Sequence, residues 1–345
     1  MKSLLRLLLK NQHRQNRSKQ AQTEKGMTLV ELLVGAIMAF LIITPMIGFV
    51  VDMLNTDRRE QVKSNTEQDL QAAVDFIAQD LSQAIYIYDK KGILAVKNGT
   101  TGKFPAPTNG TPILVFWKRQ QIKKSVPINP TVSAKPNTCV TKPEDCNDTY
   151  VLSLVAYYQF NDNDVTWCQP SGGPCPTRIA RYEIRDGVRN PSTLTYYPEG
   201  ETTTGQRKDP AFNPNFDISK PTEKVTIPDG LTKPESGAQK PEVLVNYIDH
   251  TTTGVPAPPD CKTTLGVTDP PAPAPALTQA DLLIADGATN SFYACVDTSK
   301  NIARVTIRGN SLRRIQTDAA NYDPKKSAYF PTASVQVQGL GGRGQ

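Results

Sequence analysis

Two histidines, His13 and His250, make up the whole imidazole complement of this 345-residue chain. Triad or general acid–base chemistry would therefore have to be built around His250, the one outside the basic N-terminal stretch. No Gly-x-Ser-x-Gly nucleophile elbow accompanies it, and Tyr247-Ile-Asp-His250 reads as a strand end carrying an ordinary surface or turn histidine. Gly339-Leu-Gly-Gly-Arg-Gly344 has the glycines of a phosphate cradle but no helix to follow, so it reads as a tail. Asn161-Asp-Asn-Asp164 starts like a calcium loop, although the glycine and distal glutamate of an EF-hand are missing. Asp162 and Asp164 are the metal candidates, with a polar turn as the competing reading. Nothing here assembles a catalytic constellation, and the expectation is a non-enzyme without a cofactor.

Cysteine chemistry is better represented. Cys139, Cys146, Cys168, Cys175, Cys261 and Cys295 are even in number and all lie far downstream. In an oxidising compartment they would pair. Cys139 with Cys146 and Cys168 with Cys175 enclose turn-rich hexapeptides, which would leave Cys261 with Cys295, but six cysteines allow about 15 connectivities. A zinc site would want closer Cys spacing and more histidine.

The elements that position these groups begin at the N-terminus. Lys2, Arg6, Lys10, Arg14, Arg17, Lys19 and Lys25 face only Glu24 within residues 1–26, so the leader holds all of the net charge of +6. From Met27 to Val51 the run MTLVELLVGAIMAFLIITPMIGFVV carries one charged side chain, Glu31. As a helix it can span about 30 Å of hydrocarbon. A basic stretch before it keeps that end cytoplasmic and predicts export of everything beyond. There is no small-x-small cleavage site after the apolar run. A carboxylate one turn inside such a segment calls for a partner.

Lys25-Gly26-Met27-Thr28-Leu29-Val30-Glu31-Leu32-Leu33, followed by the apolar run, resembles the prepilin cleavage and methylation motif of type IV pilins and type II secretion pseudopilins. The resemblance implies that prepilin peptidase cuts between Gly26 and Met27 and methylates the new Met27 amine. It implies further that Glu31 of one subunit pairs with the Met27 amine of a neighbour during assembly. Pro45 would remove a backbone hydrogen bond and kink or locally melt the helix. Such subunits sit as single-pass proteins in the inner membrane with a periplasmic C-terminal domain. They engage the lipid bilayer, other pilins and the inner-membrane assembly platform, and reach the cell surface in a pilus or pseudopilus.

Beyond Val51, Leu70, Val74, Ile77, Leu81, Ile85 and Tyr88 recur at helical spacing. One helix from about Met27 to about Tyr88 is predicted, membrane-spanning over 27–51 and amphipathic over 52–88, with Asp69, Asp75, Gln79 and Asp80 facing away from the core. Lys90-Lys91-Gly92 reads as its stop signal. Residues 89–345 form an exported β-rich domain with predicted strands at Ile93–Val96, Ile113–Lys118, Tyr150–Phe160, Arg178–Arg185, Leu194–Tyr197, Val243–Ile248, Ser291–Asp297, Ile302–Arg308 and Ser334–Gln338. Irregular inserts fall near 199–240 and 254–277, the second proline-rich, extended and solvent-exposed. The fold class is α+β, a long helix packed on a mostly antiparallel sheet.

The stretch Asp69 to Ile85 is similar to the segment after the membrane helix in minor pilins of the PilW and GspJ type. Length, cysteine loops and the proline-rich insert resemble the pseudopilins of cyanobacterial hormogonium polysaccharide secretion. That resemblance implies a mechanical part in motility and polysaccharide export. The alternatives are a type II secretion pseudopilin for protein export and an adhesive or DNA-uptake minor pilin. The last would use Phe116-Trp117-Lys118-Arg119 and the arginines of 304–314 to stack bases or sugars and neutralise phosphate. Outside the leader basic and acidic residues balance, which disfavours nucleic acid.

Overall fold

The computed structural model describes residues 28–97, 107, 109–129, 134–210, 212, 241–317 and 320–343, with backbone alone at 95–97 and 342–343. Gly26, Met27 and the rest of the leader lie outside the described residues, as does most of the 199–240 insert. Two compact units are present, Met1–Asp57 and Arg58–Gln345.

Helix α1 (Leu29–Ser82) begins at the apolar run and continues through Pro45. The proline ring removes one N–H, while Thr44 Oγ1 adds a bond to the Phe40 carbonyl at 2.8 Å. Every large apolar side chain from Leu29 to Leu54 is at least half exposed. Within the second unit the same helix buries Leu70, Val74, Ile77 and Leu81, each at 1% exposure or less. The 3.6-residue pattern is what directs that stripe inward. Each side chain so buried contributes about 1.5–3 kcal/mol.

The helix stops at Ser82, short of the expected Tyr88. Residues Ala84–Ile87 form strand β1, pairing antiparallel with the stretch Phe116–Lys118. Their β-branched and aromatic side chains suit a pleated surface, and that pairing outweighs the continuing helical spacing. Lys90-Lys91-Gly92 opens a helix instead of closing one: α2 (Lys90–Lys97) absorbs the predicted strand Ile93–Val96. Asp89 caps it, its Oδ1 accepting the Gly92 N–H at 2.6 Å.

Strands β2 (Gly110–Pro127), β3 (Cys146–Phe160), β4 (Thr177–Arg185) and β5 (Glu242–Ile248) extend β1 into an antiparallel meander in chain order. A second antiparallel sheet runs β6 (Leu283–Ala285), β7 (Phe292–Asp297), β8 (Ile302–Arg308) and β9 (Thr332–Gln338). Both sheets and α1 share one apolar core that includes Ile77, Phe116, Tyr157, Phe292 and Val305. The predicted strand Leu194–Tyr197 is a turn held by a single bridge between Arg189 and Tyr196, because Leu194 takes a left-handed φ of 59°. Gly309, just past β8, lets α1 come close: a Cβ there would lie 2.8 Å from Thr66 Cγ2 and 3.0 Å from Leu70 Cδ1.

The three disulfides join Cys139 to Cys146, Cys168 to Cys175 and Cys261 to Cys295. The last anchors the proline-rich insert to β7. That insert is exposed over 271–276, but it is not a continuous extended segment. It carries helix α3 (Cys261–Leu265), capped by Asp260 and ended at Gly266 with φ 63°. Cys261, Leu265, Val267 and Cys295 bury against helix α4 (Gln279–Leu282) through Leu282.

Candidate assembly site

Glu31 sits in the first turn of α1, where a carboxylate complements the exposed N–H groups. Its Oε2 accepts the Thr28 N–H at 3.0 Å and the Thr28 hydroxyl at 3.1 Å. Thr28 Oγ1 in turn accepts the Glu31 N–H at 3.3 Å. This is a reciprocal capping box, each residue satisfying a backbone donor of the other. The spacing Thr28-x-x-Glu31 is legible in the sequence, and it gives the carboxylate a capping role beside its charge. Glu31 Oε1 accepts no hydrogen bond among the described residues and remains available at the exposed helix start.

From that cap the apolar face runs on all sides of α1, and by length and composition the helix is able to cross a membrane. Within the second unit α1 is fastened by charge as well as by apolar packing. Asp80, expected to face solvent, is 7% exposed. Its Oδ1 meets Lys118 Nζ at 2.9 Å, and its Oδ2 accepts from Tyr157 Oη at 2.6 Å and Arg181 Nε at 2.7 Å. Glu183 completes the cluster, 2.8 Å from Arg181 and 3.6 Å from Lys118. Antiparallel register makes this possible: Tyr157 pairs with Arg181 and Val155 with Glu183 and Phe116, so alternation turns Lys118, Tyr157, Arg181 and Glu183 to one face. Burial raises the Asp80 carboxyl, but the Arg181 hydrogen bond and the charges of Lys118 and Arg181 outweigh it, leaving the group below its ordinary value. Burial likewise raises Glu183, and the same two cations bring it below its own. Burial first, then Asp80, pushes the Tyr157 hydroxyl well above its usual range.

The sequence signal for Asp80 was its spacing from Ala73 and Ile77, both buried, which places it on the stripe and not opposite. Phe116 and Trp117 are at most 1% exposed, and Lys118 is held by Asp80, so this stretch offers no stacking face to a base or sugar. Arg308 and Arg313 are also interior, the first paired with Asp249 at 2.9 Å. Asp162 is engaged by the Arg178 guanidinium, whose hydrogen bond holds its carboxyl below the ordinary value. Asp164 accepts the Thr166 N–H at 2.8 Å. Among the described residues no group of three or more His, Cys, Asp or Glu is arranged to hold a metal. His250 is half-buried, and burial lowers its pKa. No family model, no curated protein and no solved structure matches the chain.

Proposed function

We propose that this protein is a minor pilin or pseudopilin, a non-catalytic subunit that is cleaved between Gly26 and Met27 and assembled through α1 into a membrane-anchored, pilus-like fibre. The observation that carries this reading is the start of α1: a Glu31 that caps the helix through Oε2 and whose Oε1 accepts no hydrogen bond among the described residues, at the head of an apolar surface exposed from Leu29 to Leu54. An apolar surface of this kind needs a covering, and lipid and neighbouring helices provide one without exposing backbone groups. In this reading Glu31 Oε1 receives the cationic Met27 amine of a neighbour, while Oε2 keeps the helix cap. Removal of the leader takes away the chain's net positive charge and creates that amine in one step.

The second half of α1 supports a mechanical role. It is held on the sheet by the Asp80 cluster, which would carry force between membrane helix and exported domain. Within this class we place the protein in a machine supporting motility and polysaccharide export, as the sequence resemblance implies. The test is replacement of Glu31 by Ala. Membrane insertion should persist while co-purification with sheared or cross-linked fibres drops about tenfold or more, the loss expected for an unpaired buried amine. Unchanged incorporation would sink the pairing. Gene deletion, scored for gliding, secreted polysaccharide, secreted enzymes and DNA uptake, separates the proposed machine from its alternatives.

A further inference from the structure

Cys139, Cys146, Cys261 and Cys295 are each at most 2% exposed. Cys168 and Cys175 are both half-buried, and residues 171–174 between them are exposed. This third disulfide loop is also wrapped around a cation. Arg313, itself 0% exposed, donates from Nε to the Pro174 carbonyl at 2.7 Å. Its Nη2 reaches the carbonyls of Pro170 at 2.8 Å and Gly172 at 3.0 Å, and its Nη1 that of Gln316 at 3.2 Å. The same Nη2 lies 3.9 Å from Cys168 Sγ. Gly173 holds φ at 70° where the loop passes the Thr317 carbonyl, a conformation and clearance that a side chain would not tolerate.

We infer that Cys168–Cys175 is a thiol–disulfide exchange site, opened by a small-molecule thiol of the glutathione class, with Arg313 stabilising Cys168 as the departing thiolate. The incoming thiolate attacks Cys175 Sγ and forms a new S–S bond to it. The Cys168–Cys175 bond breaks, and its electron pair leaves on Cys168 Sγ beside the guanidinium. A second thiolate then attacks the external sulfur of the mixed disulfide and releases Cys175, so two thiols are oxidised to one disulfide as the protein disulfide is reduced. A neighbouring cation favours the thiolate, and a better leaving thiolate departs faster. The two buried disulfides lack this access and must wait for local unfolding.

Opening has a structural readout. The carbonyls of Pro170, Gly172 and Pro174 that hold Arg313 all belong to the closed loop. Arg313 shares the short helical turn Leu312–Arg314 with Arg314, which pairs with Asp69 on α1 and stacks 4.5 Å over the Tyr247 ring. The covalent state of the loop is therefore one residue removed from a contact on α1.

The test uses the full-length protein in detergent with reduced glutathione as the probe. Aliquots are quenched with N-ethylmaleimide and digested for peptide mass spectrometry. Cys168 and Cys175 should be modified about tenfold or more faster than the other four cysteines. In the trapped intermediate glutathione should sit on Cys175 and maleimide on Cys168. Simultaneous opening of all three disulfides, earlier opening of another, or no opening before the protein unfolds overturns the site. Glutathione on Cys168 overturns the role given to Arg313.

Discussion

Asp80 and Glu31 are both carboxylates on α1, yet one is sealed between a helix and a sheet while the other caps an exposed helix start. Removing one member of a buried ion cluster strands the others, which costs about 3–5 kcal/mol. Asp80→Ala should lower the unfolding free energy by about that amount in urea titrations, because Lys118 and Arg181 would retain only Glu183 between them. A change under about 1 kcal/mol would mean that the cluster contributes little beyond packing. The sign of the pH response follows from the lowered values of Asp80 and Glu183, whose ordinary values are 3.8 and 4.5. Groups lowered by folding stabilise in full above their unfolded values and lose that contribution as pH falls through the folded ones. Stability should therefore hold at neutral pH and decline from about pH 4.5 downward, and Asp80→Asn should flatten that acid limb. An identical acid profile for the variant would contradict the assignment.

At the scale of elements, Gly309 is where the backbone just past β8 leaves no room for a side chain beneath α1. A side chain there meets Thr66 and Leu70 within 3.0 Å, so Gly309→Val should cost about 1–3 kcal/mol as overpacking. Thr66→Ala should recover part of that loss in a double-mutant cycle, since Thr66 Cγ2 is the nearest obstacle; full additivity would show that the clash is relieved elsewhere. The apolar run of α1, the buried stripe from Leu70 to Leu81 and most strands were legible, because periods of 3.6 and 2 survive in the sequence wherever one face is buried. Misreadings fell where tertiary pairing decides. Ala84–Ile87 continues the helical spacing but finds β2 as a partner, and Ile93–Val96 is apolar in either conformation. Ile302–Arg308 shows the limit of alternation: Ala303, Val305 and Ile307 on one face are buried, but Arg308 on the other is buried too, because Asp249 meets it inside. In both Asp80 and Arg308 a charge is not a mark of solvent. Its partner lay far along the chain, where no local spacing could reveal it.

At the scale of the whole molecule, the basic stretch of residues 1–26, the exposed apolar run of α1 and the disulfide-bearing part of the chain are three segments of different chemistry. Under the proposed function the basic residues 1–26 stay on the cytoplasmic side, the run from Leu29 to Leu54 is covered by lipid or by other helices, and the disulfides form in an oxidising compartment. On that reading oxidation to three disulfides follows export, so expression that keeps the chain in a reducing cytosol should leave the half-buried Cys168 and Cys175 as free thiols, countable by alkylation. The proposed assembly through α1 depends on the identity of the mature N-terminus. The most direct measurement is intact-mass and N-terminal peptide analysis of the protein recovered from membranes of cells with and without prepilin peptidase. The account predicts a chain beginning at an N-methylated Met27 when the peptidase is present and at the leader when it is absent. A membrane-bound chain that keeps its leader in both strains, or a chain cut after the apolar run, would contradict it.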